Sequence, residues 1–132
     1  MHQLYQNLAQ LTTTSVTVFI DASLSQQLPQ LTIALPEFKR SEFPPGKLFN
    51  TFIASHERQL AWPDLEAEHG IFTRFLLAGL TGEADENKDR EVTVGQLLSY
   101  LSRGVQRAAC RLHGQEQEPP VSGKTDLVLS SL

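Results

Sequence analysis

The stretch that most constrains the fold is residues 15–20 (SVTVFI), which lead directly to Asp21. Its β-branched and aromatic residues favour a strand, and the near-continuous apolar character over 15–21 is typical of a parallel strand covered on both faces. Two small residues, Ala22 and Ser23, follow. Ligands of open α/β sheets bind at the carboxyl ends of strands, so we expect a site at this turn. A core strand followed by an ordinary turn is the alternative.

Strand and helix patterns alternate along the rest of the chain, which predicts an α/β layered fold. The spacing Thr93-x-x-Gln96 is that of a capping box, and it predicts the start of the longest helix, which Gly114 ends. Prolines predict a long surface loop over 26–46. The other predicted elements are helices over 2–11 and 70–80, strands over 48–55 and 126–129, an acidic turn over 83–92, and loops over 56–68 and 115–123.

Composition limits the classes of function. A chain of 132 residues with 40% hydrophobic residues is the size of one domain. The net charge of -4 and the lack of a basic stripe argue against a nucleic-acid partner. No apolar run is long enough to cross a membrane, and no signal peptide is evident. The single cysteine, Cys110, excludes an internal disulfide and is expected to be buried on the long helix. We expect a soluble, cytoplasmic protein without a cofactor.

Residues 85–89 (DENKD) match the Asp-x-Asn-x-Asp start of a calcium-binding loop. The sixth position of that loop is Arg90 instead of glycine, and the twelfth is Gln96 instead of a bidentate glutamate. The capping box accounts for Gln96 without a metal. We therefore expect no metal site here.

With these segments in order, the chain resembles the C-terminal half of a caspase-like cysteine peptidase domain of the bacterial, metacaspase-related type. That family has a strand ending in Asp-Ala-Cys-x-Ser-Gly, in which the cysteine is the nucleophile. The resemblance covers nearly all of residues 1–132, read as a single domain fragment. The matching segments are 21–26 (DASLSQ), 53–55 (IAS), 70–73 (GIFT), 77–82 (LAGLTG), 91–100 (EVTVGQLLSY) and 119–123 (PPVSG).

The resemblance implies a layered sheet flanked by helices, from which the first three of six strands are absent. It places Ser23 at the nucleophile position, with Gln26 in place of the glycine. A hydroxyl ionises far less readily than a thiol, so Ser23, whether natural or engineered, implies an inactive site. The family's catalytic histidine, in a His-Gly motif upstream of the nucleophile, is also absent.

The resemblance further implies a parent activity of peptide-bond hydrolysis after Arg or Lys, because Asp21 corresponds to an acidic residue of the substrate pocket. A turn-forming role for Asp21 is the alternative. Ser55 and Trp62 fall where relatives build the walls of that pocket. The pair Lys39-Arg40 is a candidate site at which such a peptidase would cleave itself. The commoner explanation for two basic residues in a loop is that they are simply solvated.

The implied partners are a peptide or protein substrate and, for the exposed edge of the first strand, the missing N-terminal half, a partner chain or a second copy.

The histidines do not supply the base: His56 lies in a loop, His69 in the helix-start motif, and His113 at a helix end. Two other functions are considered. One is a non-catalytic pseudo-peptidase that binds a protein or peptide. The other is a serine hydrolase using Ser23, which lacks a Gly-x-Ser-x-Gly motif.

Overall fold

The chain folds into a mixed α/β structure, seen in a computed structural model that describes residues 2–22, 47–56 and 59–132. Ser23 and the pair Lys39-Arg40 lie outside the described residues. The elements are α1 (His2–Ala9), β1 (Ser15–Ile20), β2 (Leu48–Ile53), β3 (Pro63–Asp64), β4 (His69–Gly70), α2 (Ile71–Ala78), a π-helical turn (Gly79–Glu83), β5 (Glu91–Thr93), α3 (Val94–His113), β6 (Val121–Ser122) and β7 (Val128–Ser131).

The main sheet has the strand order β1-β2-β6. Strands β1 and β2 run parallel, as the sequence predicts, with Ile20 opposite Ile53. Strand β6 joins the other side of β2 in antiparallel orientation. The fully buried Asn50 ties the sheet together, since its Nδ2 donates to Thr17 Oγ1 at 3.3 Å and its Oδ1 accepts from the Lys124 backbone at 2.9 Å. Among the described residues, β1 is therefore an edge strand.

The hydrophobic core lies between one face of β2 and the helices α2 and α3. It is closely packed where the helices meet: a Cβ on Gly104 would lie 2.6 Å from Cε1 of Phe75, so this glycine allows the two helices to approach. The largest core side chains are those of Phe52, Ile71, Phe72, Val92, Val94, Leu97, Leu101 and Val105.

Helix α3 begins and ends where the sequence predicts. The Thr93 side chain accepts a hydrogen bond from the Gln96 backbone, and the Gln96 side chain accepts one from the Thr93 backbone at 2.8 Å, which completes the capping box. At the other end, Gly114 adopts the left-handed conformation with φ of 63°. Few residues other than glycine tolerate this conformation, so the helix ends at His113.

Two expectations about α3 are wrong. Cys110 is exposed instead of buried, because it lies about 200° around the helix from the buried Ala108. The chain also has a basic stripe, since Arg103, Arg107 and Arg111 recur every fourth residue and are all exposed. Among the described residues, no helix is long and apolar enough to span a membrane.

Among the described residues, the short strands β3, β4, β5 and β6 were not predicted from the sequence, and they occupy segments expected to be loops, turns or helix starts. Each is two or three residues long, so none contains enough positions for an alternating pattern. The strand predicted over 126–129 is present as β7, shifted to Val128–Ser131, and it pairs with β5. The helix predicted over 70–80 also ends differently. Helix α2 continues into the π-helical turn, and the helical conformation breaks within that turn at Gly82, which has φ of 124°.

Candidate functional site

The candidate site lies at the carboxyl ends of β1 and β2. Because these strands are parallel and in register, Asp21 and Ala54 follow them at the same edge of the sheet. The Ala54 backbone N–H donates to the Ile20 carbonyl at 2.9 Å, which extends the pairing to this edge. The structure therefore brings Asp21 and the Ala54-Ser55 segment together, as expected for strands that end side by side. Ser23, the expected nucleophile position, lies outside the described residues.

Asp21 contacts the start of helix α2. The Thr73 hydroxyl donates to Asp21 Oδ2 at 2.5 Å. Gly70, the residue before α2, lies against the same carboxylate: a Cβ there would be 3.1 Å from Asp21 Oδ1 and would overlap Oδ2. The lack of a side chain at Gly70 therefore makes room for Asp21. A carboxylate in this position is also stabilised by the positive end of the helix dipole.

Ser55 is fully buried, and its hydroxyl donates to the Gln59 carbonyl at 3.2 Å. The side chain thus stabilises the loop that leaves β2. In the described structure neither the side chain nor the backbone of Ser55 is exposed to solvent, so the residue offers no surface to a ligand.

Trp62 is partly exposed and stacks on His113, with ring centroids 4.7 Å apart and an angle of 21° between the ring planes. His113 Nε2 lies 2.8 Å from the Pro63 carbonyl oxygen. The end of α3 therefore supports the Trp62 loop. The sequence predicts that His113 lies at a helix end. The contact with the Trp62 loop explains why its side chain is positioned there.

Gln117 connects the Trp62 loop to the end of β2, and sequence reasoning did not identify it. It is fully buried, its Nε2 donates to the Ala54 carbonyl at 2.9 Å, and its Oε1 accepts from the Trp62 backbone N–H at 2.9 Å. Since both polar ends are paired, the residue is held in one orientation. It lies in the predicted loop over 115–123, where no sequence pattern indicated a buried, hydrogen-bonded residue.

A closed series of contacts surrounds this edge of the sheet, and we call it the edge ring. It runs from Asp21 through Thr73 to the first turn of α2, where the Ile71 N–H donates to the Trp62 carbonyl at 2.9 Å. From Trp62 it returns through Gln117 to Ala54 at the end of β2. The edge ring therefore fixes the relative positions of Asp21 and Trp62, two of the residues expected to bind substrate.

Asp64 lies just beyond the ring and is buried, with 3% of its side chain exposed. It forms an ion pair with Arg74 and accepts hydrogen bonds from the Glu66 and Ala67 backbone. The hydrogen bond from Arg74 lowers the pKa of Asp64 most, burial opposes this, and the two backbone hydrogen bonds add to the lowering. Asp64 thus anchors the turn between β3 and β4 to α2.

The acidic turn before α3 is hydrogen-bonded partly within itself and partly to α3, and Asp85 Oδ1 is buried without a hydrogen-bond partner among the described residues. Asp85 Oδ2 accepts from the Arg90 backbone, Asn87 Nδ2 donates to Asp89 Oδ2 at 2.7 Å, and Gln96 Nε2 donates to Asn87 Oδ1 at 2.9 Å. Within the described ranges, no group of three His, Cys, Asp or Glu residues is arranged to hold a metal ion.

His56 and His69 make their contacts with residues other than Asp21. His56 is exposed, with Nε2 3.9 Å from Glu118 Oε2. His69 is exposed and pairs with Asp64 in the β3-β4 ladder. Neither has a hydrogen bond to Asp21 among the described residues.

Comparison of the chain with protein families, with curated proteins and with solved structures found no match.

Proposed function

We propose that this chain is part of a caspase-like cysteine endopeptidase domain, and that it is inactive as it stands. The observation that carries the proposal is the placement of Asp21 at the end of a parallel strand, against the start of α2. Two motifs of the resemblance, at 21–26 and 70–73, thus supply residues that touch, namely Asp21 and Thr73.

In the active parent, a cysteine at the position of Ser23 attacks the substrate carbonyl as a thiolate. A histidine accepts the thiol proton and later protonates the leaving amine, while backbone N–H groups near the nucleophile stabilise the oxyanion. Ser23 replaces the nucleophile here, and its hydroxyl ionises far less readily than a thiol. The histidine would come from outside this chain.

The substrate class we propose is a peptide with Arg or Lys before the scissile bond. Asp21 is exposed at the sheet edge and carries the negative charge that pairs with such a side chain. Trp62, held by His113 and Gln117, forms a wall of the same region.

The proposed partner is a strand that adds to the outer edge of β1. No strand pairs with that edge among the described residues, and Phe19 on β1 is 37% exposed. Open edges with apolar side chains favour strand addition. The N-terminal half of the domain, with the histidine, is the proposed occupant, and a partner chain or a second copy is the alternative.

A non-catalytic peptide-binding module is the second candidate function, and Ser23 favours it. In that case the edge ring binds a basic peptide and no bond is cleaved.

The test uses a chloromethyl ketone peptide, because a thiolate displaces chloride from it without a general acid and the absent histidine is not required. We would introduce Ser23→Cys in a Cys110→Ala background, which leaves a single thiol in the chain. The matched control is Ser25→Cys in the same background. Adducts are located and timed by mass spectrometry with an Arg-ending and an Asp-ending reagent.

The proposal predicts that the Arg-ending reagent alkylates position 23 about tenfold faster than position 25, the effect of one charge-assisted contact. The Asp-ending reagent should show no such preference. Equal rates at both positions, or faster reaction with the Asp-ending reagent, would overturn the proposal.

A further inference from the structure

Helix α3 carries a row of like charges on its exposed face. Arg103, Arg107 and Arg111, the basic stripe, recur every fourth residue, and all three are exposed. Neighbouring arginines are separated by about 6 Å along the helix axis and about 40° around it, so the stripe is about 12 Å long. The helix contains no Asp, Glu or Lys, although the chain as a whole has a net charge of -4.

The charges of the basic stripe are neutralised unevenly. Arg103 forms an ion pair with Glu86 of the acidic turn. Arg107 and Arg111 have no ion-pair or hydrogen-bond partner within the described ranges. Like charges four residues apart on a helix repel each other. The helix dipole offsets this repulsion only in the last turn, which includes Arg111 and not Arg107. The C-terminal half of the stripe therefore lacks a compensating negative side chain in the described structure.

From this charge pattern we infer that Arg107 and Arg111 form a docking surface for an acidic helix of a partner protein, with carboxylates one turn apart. The inference goes beyond the proposed peptidase function and does not depend on it. The ion pair of Arg103 with Glu86 shows that a carboxylate fits the stripe. A guanidinium can donate two parallel hydrogen bonds to a carboxylate. Carboxylates at every fourth position of a helix have the same spacing of about 6 Å as the arginines.

The acidic residues on either side of α3 favour a short protein segment over a longer polyanion. The exposed Glu91 precedes the helix, and the exposed Glu116 and Glu118 follow it. A nucleic-acid strand or an anionic lipid surface is longer than the stripe, so it would also lie near these carboxylates. Affinity for a phosphate backbone grows with the number of phosphates neutralised, and two unpaired arginines neutralise few. A partner helix of about three turns covers the stripe alone.

The test measures binding of the full chain to a fluorescently labelled, alanine-rich helical peptide with a glutamate at every fourth position, by fluorescence anisotropy. An isomer with the same glutamates distributed around the helix is the control ligand. One double variant combines Arg107→Gln with Arg111→Gln. A second combines Arg107→Lys with Arg111→Lys, which keeps the charge and loses the planar guanidinium. The matched control combines Lys88→Gln with Lys124→Gln, which removes the same charge from exposed residues outside the stripe. Circular dichroism verifies that each variant keeps its helix content.

We expect the glutamine double variant to bind the peptide about tenfold more weakly than the unmodified chain, as the loss of two exposed ion pairs would give. The lysine double variant should lie between them, the lysine-to-glutamine control should bind like the unmodified chain, and the isomer should bind about threefold more weakly than the peptide.

The inference is overturned if the peptide does not bind, if it binds no better than its isomer, or if the glutamine double variant and the control lose affinity equally. Tighter binding of a thymidine oligonucleotide or of phosphatidylserine vesicles than of the peptide, lost in the glutamine double variant, also overturns it, because the partner of the stripe would then carry phosphates.

Discussion

Tyr100 is a residue on which burial and a neighbouring carboxylate act in the same direction. Its ring packs beside Phe75, with centroids 5.9 Å apart, and its hydroxyl donates to Glu83 Oε2 at 2.5 Å. Burial and the hydrogen bond to Glu83 raise the pKa of Tyr100 to about 12. Both effects favour the neutral phenol, so the contact links α3 to the π-helical turn at neutral pH.

The pH dependence of this contact follows from the direction of the shift. The folded pKa lies above the ordinary value of about 10, so the stabilisation is complete below that pH and is lost as pH rises towards 12. We expect tyrosinate absorbance of a Tyr5→Phe variant, in which Tyr100 is the only tyrosine, to show a pKa near 12. Adding Glu83→Gln should lower it, and Glu91→Gln should not. Titration near the ordinary value in the first variant would contradict this assignment.

Gln117 is the residue of the edge ring with the largest predicted effect on stability. Gln117→Leu leaves the Ala54 carbonyl and the Trp62 N–H without partners in a buried place. We expect a loss of about 1–3 kcal/mol in the free energy of unfolding, measured in urea. Trp62 is the only tryptophan, so its fluorescence should also shift to longer wavelength as the loop loosens. The exposed Gln115→Leu is the control; equal effects of the two substitutions would show that the two hydrogen bonds of Gln117 contribute nothing.

At the scale of elements, the sequence predicted best where one local rule determines the structure. The Thr93 and Gln96 spacing gave the start of α3, and Gly114 gave its end, because caps depend on a few neighbouring residues. The Val-rich run gave β1 and its parallel orientation. Strands of two residues, such as Pro63–Asp64, were not predictable, because their pairing depends on tertiary contacts.

The capping box gives a prediction for α3. Thr93→Ala removes the hydroxyl that accepts from the Gln96 backbone, so the free energy of unfolding should fall by about 1 kcal/mol. Thr93→Ser retains the acceptor and should recover most of that loss. The measurement is the urea midpoint of each variant, and identical midpoints for the alanine and serine variants would be inconsistent with capping.

The candidate site was only partly predictable. Asp21 was identified because it ends a strand and Trp62 because the resemblance implies a pocket wall there, and the structure places both on the edge ring. The pairing of Asp21 with Thr73 joins residues 52 apart in sequence, and no local pattern encodes such a distance. Ser55 was expected to face a ligand, but its hydroxyl is turned inward to Gln59, because the buried end of β2 needs its polar group paired.

At the scale of the whole molecule, the association we propose depends on the outer edge of β1. The Thr14 and Ile20 carbonyls point towards β2 and accept hydrogen bonds from backbone N–H groups at its two ends. Since alternate residues of a parallel strand bond to the same neighbour, the backbone groups of Thr17 and Phe19 point to the other side. That side carries no strand among the described residues.

This geometry makes a prediction for amide hydrogen exchange. In the dilute chain, the amides of Thr17 and Phe19 should exchange about tenfold faster than that of Val18, which bonds within the sheet. Addition of a complementary strand should protect Thr17 and Phe19 and leave Val18 unchanged. Slow exchange of all three amides in a dilute monomer would show that the edge is already covered.

The central claim is that the edge ring belongs to a peptidase site whose nucleophile and base are missing. The most direct measurement is hydrolysis of Arg-ending and Asp-ending peptide substrates by Ser23→Cys, with the sequence encoded upstream of Met1 supplied where it holds a strand that ends in His-Gly. The account predicts cleavage after Arg, none after Asp, and none by the chain with Ser23. Cleavage after Asp alone, or no cleavage by the completed Ser23→Cys protein, would contradict it.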